Sequence, residues 1–69
     1  MREMQEVIKK CKELENNRSV ISFLEDRIIQ IRKERDLFFI YIVQNGEATE
    51  RGRELSEERL QEVLKELWG

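Results

Sequence analysis

Apolar residues along this chain recur at two rhythms, and three segments carry them. In the first, Met4, Val7, Ile8, Cys11 and Leu14 follow one another at three- and four-residue spacing, which predicts a helix over about 2–15. Oppositely charged pairs such as Glu6 with Lys10 and Lys9 with Glu13 support it from the polar side. Asn16, Asn17, Arg18 and Ser19 interrupt the pattern with residues that favour helix caps.

The second segment spans about 20–44. On a helical projection Ile21, Leu24, Ile28, Ile31, Arg35, Phe38 and Ile42 trace a coiled-coil seam with one charge in it. From Leu37 the run is apolar all round, and here a strand competes with a helix. The stretch 37–43 is rich in aromatic and β-branched residues, and Asn45-Gly46 is a hairpin signal. The returning segment 47–54 is charged and offers only Ala48 as an apolar residue, a poor mate for so apolar a strand. The helical stripe also continues in phase through the run. Helix is therefore the favoured expectation, closed by Gly46 in the left-handed conformation.

A third helix is expected over about 56–68. Ser56 is a good N-cap, Glu57 and Glu58 suit the helix dipole, and Leu55 can pack on Leu60. Thr49 is an alternative, earlier start. Leu60, Val63, Leu64, Leu67 and Trp68 make the apolar stripe. The fold class expected is thus all-α: one domain over 1–69, an antiparallel helical hairpin with an added N-terminal helix, completed by oligomerisation.

Composition narrows the chemistry. The chain has 69 residues, no histidine, no proline and one cysteine, so disulfide frameworks, histidine triads and tetrahedral zinc sites are ruled out. No cofactor is expected. A domain this small usually needs a staple or a partner, which makes self-association or docking on a larger protein the default. The acidic stretch at 1–6 lacks the apolar run of a signal peptide, and 37–43 is too short to span a bilayer. With an unpaired thiol, a cytoplasmic setting without membrane contact is the expectation.

Three features are candidates for recognition. The apolar collar places Leu37, Phe38, Ile40 and Tyr41, with Trp68 nearby, at a partner or oligomer interface. Arg35 would be a buried-seam charge, either snorkelling to water or paired with Glu58 or Glu62. Glu54, Glu58, Glu62 and Glu66 recur every four residues as an acidic ridge, either solvated or a mimic of nucleic-acid phosphates. Direct nucleic-acid binding is not expected: Arg32, Lys33 and Arg35 alternate with acids, and the isoelectric point is about 5.2. Cys11 sits on an apolar face, where packing is its expected role.

The residues Ile31, Arg35, Phe38, Gly46, Leu55, Ser56 and Glu58 are spaced in a way that resembles the small sporulation phosphatases. That resemblance implies a helical hairpin that dephosphorylates an aspartyl-phosphate response regulator. The family's Ser-Gln-Glu-Leu-Asp signature falls on Ser56-Glu57-Glu58-Arg59-Leu60, without the leucine or the aspartate. The leading expectation is a small non-enzymatic regulator or inhibitor acting through protein–protein contacts. The phosphatase and an acidic decoy of nucleic acid are the alternatives.

Overall fold

A computed structural model describes residues 2–69; Met1, the first residue of the acidic N-terminal stretch, lies outside them. The chain runs α1 (Arg2–Lys12), β1 (Arg18–Leu24), β2 (Arg27–Glu34), β3 (Leu37–Gln44), β4 (Glu47–Leu55) and α2 (Glu57–Trp68). The strands form an antiparallel meander in the order β1-β2-β3-β4. Both helices lie on one face of it. The all-α expectation is therefore overturned: the terminal helices are present, but the long central helix, the hairpin and the coiled-coil seam are not.

The physical reason lies in how the middle of the chain pairs. Tight two-residue turns at Glu25-Asp26, Arg35-Asp36 and Asn45-Gly46 fold 18–55 into four strands. Arg35, Asp36, Asn45 and Gly46 all have positive φ, as the hairpin turns that match strand twist require. Arg35 thus occupies a turn and pairs with neither Glu58 nor Glu62. Asn16 holds the same turn from outside: its side-chain oxygen accepts from the Asp36 amide at 2.9 Å.

The apolar run becomes β3, a central strand paired on both sides, by β2 and by β4. It therefore does not depend on β4 alone for its hydrogen bonds. Alternation then sorts its side chains. Phe38, Ile40 and Ile42 point to the helices beside Ile29 and Ile31 of β2 and Leu55 of β4. Val7 and Cys11 from α1, with Leu60, Val63, Leu64 and Trp68 from α2, close this core. Ile29, Ile40 and Leu64 have no exposed surface, and each such side chain contributes on the order of 2 kcal/mol of burial.

The charged segment 47–54 serves as an edge strand, which needs only one good neighbour. It carries two register shifts opposite β3, where Gly52 and Thr49 are skipped. Gly52 has a φ of 86° and takes the left-handed position of a bulge. The Thr49 hydroxyl donates to the Ile42 carbonyl at 3.4 Å. The third helix begins as expected: Ser56 caps α2, its hydroxyl accepting from the Arg59 amide at 3.2 Å, and both Leu55 and Leu60 are buried.

Candidate interaction surface

With both helices on the inner face, the outer face of the sheet has no layer over it. Its rows follow from the strand register. Phe23, Ile28, Val43 and Ala48 form one row; Ile21, Gln30, Tyr41 and Arg51 form the next. Four large apolar side chains stand open there: Phe23 at 73 %, Ile21 at 56 %, Ile28 at 44 % and Tyr41 at 37 % exposure. Phe39 and Val43 lie half-buried between them. A row of this kind on a small chain is a contiguous apolar patch with a polar rim.

The rim is nearly neutral. The outward strand positions around the patch hold Arg32 and Arg51 against Glu34 and Glu54, and Arg32 Nε is 3.1 Å from Glu34 Oε1. Tyr41 is anchored over the β4 bulge: a Cβ on Gly52 would come 3.2 Å from the tyrosine ring. The glycine's missing side chain therefore leaves room for the ring against the edge strand. A depression of about 470 Å³ beside this face is lined by Asn17, Glu34, Arg35, Leu37, Phe39 and Glu54, with charges of both signs.

The interface expected from the sequence is only partly on this surface. Tyr41 is exposed on it and Leu37 is half-buried at its margin, whereas Phe38, Ile40 and Trp68 are in the core. Strand alternation separates Tyr41 from Ile40, which a helical reading had placed together. Ile21 and Ile28, expected in a helical seam, and Phe23, given no role by the sequence pattern, are the residues that reasoning missed. The signal that finds them is the turn pairs at 25–26, 35–36 and 45–46, ten residues apart with apolar alternation between them.

The acidic ridge keeps three of its four members on one helix and loses the fourth. Glu54 is on β4, while Glu58, Glu62 and Glu66 are on α2, where Glu62 pairs with Arg59 at 2.6 Å. The residues matched to the phosphatase pattern are scattered: Ile31, Phe38 and Leu55 are core residues of three strands, and Arg35 and Gly46 are in turns.

Among the described residues, no group of three or more His, Cys, Asp or Glu side chains is placed to hold a metal ion. Cys11 is buried, and desolvation pushes its thiol up to about 11, which leaves it un-ionised at neutral pH. The Trp68 indole N–H is buried without a hydrogen-bond partner among the described residues. No helix among them is long and apolar enough to cross a membrane.

No family model, curated protein or solved structure matches this chain.

Proposed function

We propose that the chain is a small non-enzymatic interaction module, a regulator or inhibitor that works by docking the open face of its sheet on another protein surface. The observation that carries the reading is the cluster of Ile21, Phe23, Ile28 and Tyr41, each more than a third exposed on one sheet face. Burying such side chains releases on the order of 25 cal/mol per Å² of apolar area, so the face gains by being covered. The near-neutral rim suits a protein surface better than a polyanion. An unpaired, buried thiol fits a reducing compartment, and we place the chain in the cytoplasm on that ground.

Phe23 and Ile28 are cross-strand neighbours, and replacing both by glutamate tests the reading. Neither is in the core, so the variant should keep its circular dichroism and melt within a few degrees of the parent. Its solution mass by light scattering, and the proteins it captures from its own host, should both change. An unaltered mass together with an unaltered set of captured proteins would refute a role for this face.

A further inference from the structure

The two edges of the sheet are built differently. The β4 edge is interrupted at Thr49 and Gly52 and carries Glu47, Glu50, Arg51, Arg53 and Glu54, features that discourage another strand from pairing with it. The β1 edge has neither device. Its pairing with β2 runs without a shift from Arg18 to Leu24, and Arg18 is its one charged residue. A two-residue turn closes on a hydrogen-bonded pair, here Leu24 with Arg27, and antiparallel pairs alternate from there. Val20 and Ser22 therefore bond β2, and the amides and carbonyls of Ser19, Ile21 and Phe23 face outward.

From this edge we infer that the partner is a second copy of the chain, joined β1 to β1 about a two-fold axis through Ile21 to give one continuous sheet. The inference rests on the interaction reading above; it occupies the β1 edge and leaves the open face, now doubled in extent, to a further protein. Centring on Ile21 uses every outward group: Ile21 pairs with its symmetry mate, and Ser19 pairs with the partner's Phe23. A centre at Val20 would leave Phe23 beyond the partner strand's start. In this register Arg18 sits opposite the partner's Leu24, next to the partner's Glu25. Among the described residues neither Arg18 nor Glu25 has an ion-pair partner, so the seam supplies one at each end. No like charges oppose each other along it.

The helix layer agrees. Glu3, Glu6 and Lys10 of α1 flank β1 beside Ser22 and Phe23. A two-fold normal to the sheet reverses α1 in the partner. Glu3 in the first turn of one α1 then comes to the end of the other that carries Lys9, Lys10 and Lys12. On the opposite side the two Ile21 side chains meet, and the apolar rows of both copies become one stripe.

Sedimentation equilibrium of the parent, Ile21→Pro, Arg18→Glu and the double variant Arg18→Glu/Glu25→Arg tests the seam. Proline at 21 removes an amide that faces outward and leaves the β2 ladder intact. The parent should be a dimer. Ile21→Pro should weaken association on the order of a hundredfold with its circular dichroism unchanged. Arg18→Glu should weaken it several-fold at low salt, and adding Glu25→Arg should restore it. If Ile21→Pro does not fold, the charge-swap pair decides.

A dimer that survives Ile21→Pro and ignores the charge swap overturns the seam; loss of that dimer in Phe23→Glu/Ile28→Glu would still uphold docking through the face. A parent that stays monomeric to millimolar concentration overturns the second copy as occupant, and host capture by the face variant then judges the interaction reading separately.

Discussion

Gly52 does two things at once. Its φ of 86° makes the bulge that kinks β4, and its bare Cα leaves room for the Tyr41 ring. Gly52→Ala should therefore cost about 1–2 kcal/mol, most of it from the left-handed backbone. Adding Tyr41→Ala would relieve the 3.2 Å approach but not the backbone strain, so little of the loss should return. Urea midpoints of the two variants measure this; a Gly52→Ala chain as stable as the parent would show that β4 does not bulge there. Cys11 gives a second prediction. Burial raises its folded pKa from 9.0 to about 11, so the folded state holds the thiol proton where the unfolded state releases it. Stability from this group is complete below pH 9 and falls as pH climbs toward 11. Cys11→Ala, compared with the parent at pH 7.5 and pH 10, should remove that part of the slope. Equal slopes would contradict the buried thiol.

At the scale of elements, the two ends of the chain were legible and the middle was not. α1 and α2 show clean helical periodicity, and Ser56 with Leu55 and Leu60 marks the start of α2 where it lies. Ser56→Ala should cost about 1 kcal/mol by leaving the Arg59 amide without its acceptor. A thermal melt would show it, and no change would mean the cap is idle. Residues 20–44 misled because apolar residues two apart on successive strands also fall three, four and seven apart. Ile21, Leu24, Ile28 and Ile31 satisfy a helical stripe by that accident, although Ile21 and Ile28 point outward while Leu24 and Ile31 point inward. The residue types of the turns gave no help, since Glu25-Asp26 and Arg35-Asp36 lack the glycine or asparagine that usually betrays them, and only their ten-residue spacing marks them. The charged strand β4 was discounted as a mate for β3. Its charges are what an edge strand needs, and β2 supplies the second neighbour. Of the candidate site, only Tyr41 and the margin at Leu37 could be read in advance, because the faces of β3 were unknown without its strand period.

For the whole molecule, the decisive asymmetry is between a sheet face covered by two helices and one covered by nothing, and between an edge that is blunted and one that is open. A chain this small has limited core to spare, so association through the open side would also stabilise it, and its melting temperature would then rise with protein concentration. The amides of Ser19, Ile21 and Phe23 report on the arrangement most directly. Their hydrogen exchange, followed residue by residue by NMR at two concentrations a hundredfold apart, should slow at the higher concentration, while Val20 and Ser22 stay protected at both. Fast exchange of those three amides in a sample that is fully associated would contradict the β1 seam.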